Sequence, residues 1–140
     1  MNLNTKGKGD LAELKVAADL RGRGYRVAFP YGEDWDCDLI LCRDENRLER
    51  VQVKYACSDG RVVCVRCRSH SLTNGRIKNT KRYTARTIEW LAVWDRTLDR
   101  CFYVPAAELG GGRIELSLRV APSRNGQRQG VRPAESYTRI

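Results

Sequence analysis

The order of apolar and polar positions divides the chain into one helix followed by a series of short strands. Residues 9 to about 23 place apolar side chains at helical spacing. Leu11, Leu14, Val16, Ala17, Ala18 and Leu20 form a broad apolar face there. Gly24 supplies the stop, since glycine readily takes the backbone conformation that ends a helix. Beyond it the apolar period shortens to two. Strands are predicted over residues 25–29 (ended by Pro30), 38–42, 48–56, 61–67, 88–94, 101–104 and 114–120. Residues 43–47 read as a polar turn, 58–60 as a Ser-Asp-Gly turn, and 105–109 as a single helical turn. Residues 73–86 are polar and basic and read as a loop. One helix followed by a strand meander predicts an α/β or α+β layer, a mixed sheet with the N-terminal helix packed on it.

A chain of 140 residues fits a single domain, 1–140, large enough to bury roughly two-thirds of its unfolded surface. No apolar run approaches the roughly 20 residues that cross a bilayer, so no membrane partner is expected. The first nine residues hold no apolar signal segment, which makes a cytoplasmic protein the expectation.

Charge changes the picture more. Lys and Arg total 26 against 17 Asp and Glu, a net +9. The excess comes from two acid-free segments. One, residues 60–88, carries Arg61, Arg66, Arg68, Arg76, Lys78, Lys81, Arg82 and Arg86. The other, residues 116–134, carries Arg119, Arg124, Arg128 and Arg132. Concentrated positive charge of this kind suits a polyanion, and a nucleic-acid phosphate backbone is the expected partner. The first segment mixes its cations with His70, Ser71, Thr73, Asn74, Asn79, Thr80 and Tyr83, a set able to meet both phosphates and base edges as a loop or a β-ribbon. The candidate DNA contacts are Arg66, Arg68, His70, Arg76, Lys78, Lys81 and Arg82, with Arg124, Asn125 and Arg128 from the basic tail at 119–137. In the tail, Asn125 and Gln127 suit turn closure equally well.

The six cysteines include a Cys64-x-x-Cys67 pair with Cys57 before it and His70 after it, a spacing that zinc can use. Positions three apart on a strand face opposite ways, so small apolar core thiols are the preferred reading. Trp90, Trp94 and Phe102 fall on predicted strands and are expected in the core.

Four further positions carry candidate chemistry. At about 100° per residue, Glu13 falls among Val16, Ala17 and Leu20 on the apolar arc of the helix, while Lys15 and Asp19 share its polar side. An inward acid needs a partner or a cation. Asp38 opens a strand, with Asp34 and Asp36 just upstream as loop acids able to substitute for it. Gln52 and Lys54 share one face of the next strand, and Val51, Val53 and Tyr55 the other. A hairpin through 43–47 would bring Asp38 beside Gln52 and Lys54. Phosphodiester hydrolysis uses such a set. Mg²⁺ takes oxygen ligands, which Glu13, Asp38 and the Gln52 amide supply, and Lys54 can orient water or offset charge on the phosphate.

The order of helix Glu13, strand Asp38 and Gln52-x-Lys54 resembles the PD-(D/E)XK nuclease superfamily, in its variant with glutamine for the second acid. Longer segments are similar to the PD-(D/E)XK homing endonucleases of group I introns. They are Thr5-Lys-Gly-Lys-Gly-Asp-Leu-Ala-Glu13, Tyr25-Arg-Val-Ala-Phe-Pro-Tyr-Gly32, Arg50-Val-Gln-Val-Lys54 and the tail from Pro122 through Asn125, Arg128 and Arg132 to Tyr137. The resemblance implies a restriction-endonuclease-like α/β core, Mg²⁺-dependent cleavage of double-stranded DNA, catalytic roles for Glu13, Asp38, Gln52 and Lys54, and a homodimer or homotetramer. Archaeal Holliday junction resolvases share the superfamily, so a junction resolvase and a DNA-binding protein without cleavage are the alternative expectations. Cys37 stands where the family name has proline, and Gln52 removes one negative charge from the site.

Overall fold

The computed structural model describes residues 2–73 and 75–140, with the side chains of 70–73 and 77–79 outside that description. The chain opens with α1 (Thr5–Gly22). The Asn4 side chain caps it by accepting from the Gly7 N–H at 2.8 Å, which starts the helix four residues before the expected position. Arg23 and then Gly24, at φ +93°, end it.

The central sheet has the order β1 (Arg26–Ala28), β2 (Leu39–Asp44), β3 (Arg47–Ala56), β7 (Trp90–Asp95), β8 (Arg100–Pro105). It is mixed: β3 and β7 are parallel, and the other neighbours are antiparallel. Parallel neighbours need a crossover, and here the crossover carries three more strands. These are β4 (Val62–Arg66), β5 (Arg68–Thr73) and β6 (Arg76–Arg82). After β8 come a 3-10 turn (Ala106–Leu109), β9 (Glu115–Arg119) and a second 3-10 turn (Ala134–Tyr137). β9 pairs with β4 to form a separate two-stranded sheet.

Both faces of the central sheet are covered. Ala12, Val16, Ala17 and Leu20 of α1 pack on Leu39, Leu41, Val51, Val53, Ala92, Trp94 and Tyr103. On the other face Leu91, Val93, Phe102 and Val104 meet Val63, Val65, Leu116 and Leu118 of the β4–β9 pair. That is why β7 reads as an unbroken apolar run: alternate residues feed two different cores.

Two expectations need correction. The apolar face of α1 is narrower than its periodicity suggests, because Leu14 is 61% exposed and Ala18 also faces solvent. Residues 73–86 are not one loop. β5 and β6 pair antiparallel from Arg68↔Arg82 to Thr73↔Arg76, making a two-stranded ribbon. The backbone ladder is satisfied without any apolar alternation in the sequence, so the segment reads as a loop. Gly112, at φ +118°, lies against the ribbon base. A Cβ there would come within 3.0 Å of the Arg82 side chain.

Candidate active site

β2 and β3 part company at Asp38. The Asp38 N–H still donates to the Val51 carbonyl at 2.9 Å, but β2 begins only with Leu39. At this fork the Val53 N–H donates to Asp38 Oδ2 at 2.9 Å. The carboxylate thus takes up a backbone donor of β3 and is held in the plane of the sheet. The hairpin expected through 43–47 is what brings it there, with Leu39 opposite Val51.

Glu13 reaches the same point from the helix layer. Its carboxyl hydrogen-bonds that of Asp38, and burial, the Asp38 charge and Asp10 together push its pKa from 4.5 up to about 7. Burial raises the Asp38 pKa as well, and the Val53 N–H, Lys54 and Glu13 oppose that shift. Two acids in contact, each pushed toward its neutral form, make a site that a cation would relieve.

Lys54 approaches from the opposite face of β3 to Val53, as strand alternation requires. Its ammonium donates to the Arg68 carbonyl at 3.2 Å and to Ser69 Oγ at 3.0 Å, and lies 5.3 Å from the centre of the Tyr83 ring. It forms no ion pair with Asp38, although that charge lifts its pKa against the stronger downward push of burial. Ser69 Oγ and the Tyr83 hydroxyl are hydrogen-bonded at 2.6 Å. Gln52 lies on the Lys54 face of β3, only 8% exposed and opposite Leu91, and its side chain makes no hydrogen bond among the described residues. Asp38 therefore lies between Glu13, from the helix layer, and Lys54, and Gln52 shares the Lys54 face of β3. The two carboxylates are the donor type that a hard cation takes.

The loop acids have other work. Asp36 pairs with Lys81 at 3.0 Å, tying the segment before Asp38 to the ribbon. Lys15 pairs with Asp99 at 3.1 Å, while Asp19 pairs with Arg23 and accepts from the Tyr103 hydroxyl.

The expected DNA contacts are spread over two elements. Arg66 on β4 and Arg76, Lys81 and Arg82 on the ribbon are exposed, and Arg68 is half-buried. The side chains of His70 and Lys78 lie outside the described residues. Tyr83, one of the uncharged residues interleaved with these cations, is 4% exposed and packs at the ribbon base. In the tail Arg124 and Arg128 are exposed, whereas Asn125 closes a turn: its Oδ1 accepts from the Ser123 hydroxyl at 2.7 Å and from the Gln127 N–H at 3.1 Å. Arg132 pairs with Glu108 at 3.1 Å.

The cysteines divide. Cys37 and Cys67 are core thiols, while Cys57 and Cys64 are exposed, against the expectation of core placement. Cys57, Cys64 and Cys67 contact Thr97, Ser117 and the Val65 carbonyl respectively, and the candidate zinc ligand His70 is outside the described side chains. No group of three or more His, Cys, Asp or Glu able to hold a metal occurs among the described residues. Trp94 and Phe102 are buried as expected, and the half-buried Trp90 donates from Nε1 to Glu49 at 3.1 Å.

Sequence reasoning does not single out Ser69, the Tyr83 hydroxyl or the Val53 N–H. Nothing local marks them, because each acts across a chain separation of 14 or 15 residues.

A family model described as PD-(D/E)XK endonuclease matches residues 3–140. The fold is similar to the solved structure of a bacterial homing endonuclease, I-Ssp6803I, with a TM-score of 0.74 at 21% identity over 96% of this chain and 88% of that one. No curated protein matches the chain.

Proposed function

This chain belongs to the PD-(D/E)XK endonuclease family, and on that premise we propose that it is a Mg²⁺-dependent endonuclease cutting double-stranded DNA at specific sites, in the manner of homing enzymes. The observation that carries the proposal is the contact between the Glu13 and Asp38 carboxyls at the β2–β3 fork, with Lys54 beside them.

Glu13 and Asp38 would hold the metal, with the Gln52 amide oxygen as a third, neutral donor. Bound there, Mg²⁺ supplies Lewis acidity toward the phosphate and makes a water acidic enough to attack. The rest falls to the chain. The Val53 N–H keeps Asp38 aimed into the fork. Glu13, with a pKa near 7, gives up its proton as a cation arrives. An ammonium has three N–H groups, and Lys54 spends two on the ribbon base, so the third is left to orient water or meet charge growing on the phosphate.

Site selection belongs to the ribbon in this proposal. A two-stranded ribbon fits the major groove, which is about 12 Å wide, and Arg76, Lys78, Lys81, Arg82 and His70 would face bases and phosphates. Arg66, Arg68, Arg124, Asn125 and Arg128 would follow the backbone. A homodimer or homotetramer would present one such site to each strand.

The test is cleavage in Mg²⁺ of two substrates by wild type and Lys54→Ala. One substrate is a pool of long random duplexes sequenced at the cut ends. The other is a synthetic four-way junction. A recurring duplex cut sequence, absent with Lys54→Ala, is the expected result. Cuts confined to the junction would replace this proposal with a resolvase. Salt-sensitive binding without any cut would replace it with a binding protein.

A further inference from the structure

Lys54 is tethered to the DNA-facing ribbon rather than to the acids it serves. Its ammonium donates to the Arg68 carbonyl and to Ser69 Oγ, both at the start of β5. Ser69 Oγ is in turn locked by the Tyr83 hydroxyl, which stands just past the end of β6 on a residue only 4% exposed. The two strands of the ribbon thus meet at a small polar clamp, and the clamp grips Lys54. On its other side the ribbon reaches the segment before Asp38 through the Lys81–Asp36 pair.

We propose that Ser69 and Tyr83 are positioning residues that set the direction of the Lys54 ammonium, so that the seating of the β5–β6 ribbon on DNA and the placement of the catalytic lysine are mechanically joined. This rests on the nuclease reading above. The chemistry of the clamp supports it. Lys54 carries a flexible four-carbon stem and has no carboxylate within ion-pair distance among the described residues, so without the clamp its head group has no fixed direction. Tyr83 contributes twice, since its ring lies under the ammonium and its hydroxyl fixes Ser69. Burial leaves that hydroxyl only the Ser69 oxygen as partner among the described residues. Removing the serine side-chain oxygen therefore takes one of the two acceptors from Lys54, leaving the Arg68 carbonyl, and strands the Tyr83 hydroxyl, whereas Ser69→Thr keeps the oxygen.

The experiment compares Ser69→Ala, Ser69→Thr, Tyr83→Phe and the Ser69→Ala/Tyr83→Phe pair. Each is measured for melting temperature, duplex affinity in Ca²⁺, single-turnover cleavage in Mg²⁺, and acetylation of Lys54 by acetic anhydride in metal-free, DNA-free protein, read by mass spectrometry. A misplaced group can cost up to about a hundredfold, and here Ser69→Ala is expected to cleave at least about tenfold slower with affinity within about twofold. Ser69→Thr is expected to restore the rate. The double variant is expected to be no slower than Ser69→Ala alone, because both changes act through one chain of contacts. Lys54 is expected to acetylate faster in Ser69→Ala and in Tyr83→Phe. A Ser69→Ala enzyme that cuts at the wild-type rate would overturn the proposal. So would a rate loss matched by a loss of affinity or of fold in both single variants. If wild type cuts nothing, the nuclease reading falls. The acetylation rates then decide the clamp by themselves, and unchanged Lys54 reactivity in both single variants would overturn it.

Discussion

Glu13 of α1 and Asp38 at the mouth of β2 hold their carboxyl groups against each other, and each is pushed toward its protonated form. The arrangement costs the protein stability at neutral pH, a cost that a bound cation would relieve. Its consequences are measurable.

The first is a pH dependence. Glu13 titrates near 4.5 in the unfolded chain and near 7 in the fold. Its favourable contribution is therefore complete below pH 4.5 and falls away as pH rises to 7, and Asp38 acts in the same direction. Burial lowers the pKa of Lys54 from 10.5, against the pull of the Asp38 charge. The shift would amount to about 3 kcal/mol in a sealed site, and the partial exposure of Glu13 reduces that to roughly 1–2 kcal/mol. Thermal melts without metal should fall between pH 4.5 and 7. In Glu13→Gln that slope should be shallower, with the Asp38 share remaining, and a slope as steep as wild type would remove Glu13 as a source.

Metal should reverse the penalty. At pH 8, Mg²⁺ is expected to raise the melting temperature of wild type in proportion to the logarithm of its concentration, as any ligand of the folded state does. Glu13→Gln and Asp38→Asn should blunt the rise. An equal rise in all three proteins would place the metal elsewhere.

Lys54→Ala should separate binding from chemistry. Losing a single group that stabilises developing charge typically costs about 10²–10³ in rate. Duplex affinity, which the proposal assigns to the arginines, should change by no more than a few-fold. Gel-shift and single-turnover assays on the same preparation provide both numbers.

The ribbon arginines should show themselves in salt dependence. Withdrawing one cation from a phosphate is expected to reduce the slope of log K against log salt by about 0.9. Arg76→Ala and Arg82→Ala are both exposed substitutions and should each do so with melting temperature unchanged. Slopes identical to wild type in both would move DNA off the ribbon.

One acid outside the site should matter only for the fold. Asp95 is fully buried and accepts from the Ser58 N–H at 2.7 Å, the Ser58 hydroxyl at 2.8 Å and the Leu98 N–H at 3.0 Å. Asp95→Ala strands three donors and should cost about 2–4 kcal/mol by urea denaturation. A loss of cleavage with stability unchanged would give Asp95 a role in the site.

How much of the site is legible depends on the distance over which each signal acts. Glu13 stands out because a helical period places it among Val16, Ala17 and Leu20. Gln52 and Lys54 stand out because a period of two separates them from Val51 and Val53. Asp38 joins them through a hairpin whose turn is legible in the sequence. The start of α1 lies four residues before the apolar pattern begins, because Gly7 and Gly9 obscure the helical period while Asn4 caps the first turn.

The sequence by itself therefore determined the class of fold, the four candidate site residues and the concentration of positive charge, since periodicity and charge are properties of neighbouring residues. Tertiary structure alone decided the rest. It made β3 and β7 parallel, which forces a crossover, and it paired Arg68–Thr73 with Arg76–Arg82 as a ribbon within that crossover. It buried Tyr83 and brought Ser69 onto Lys54. A ribbon bonded through its backbone leaves no apolar alternation to read, and a hydrogen bond between elements depends on how they are packed, which no local pattern records.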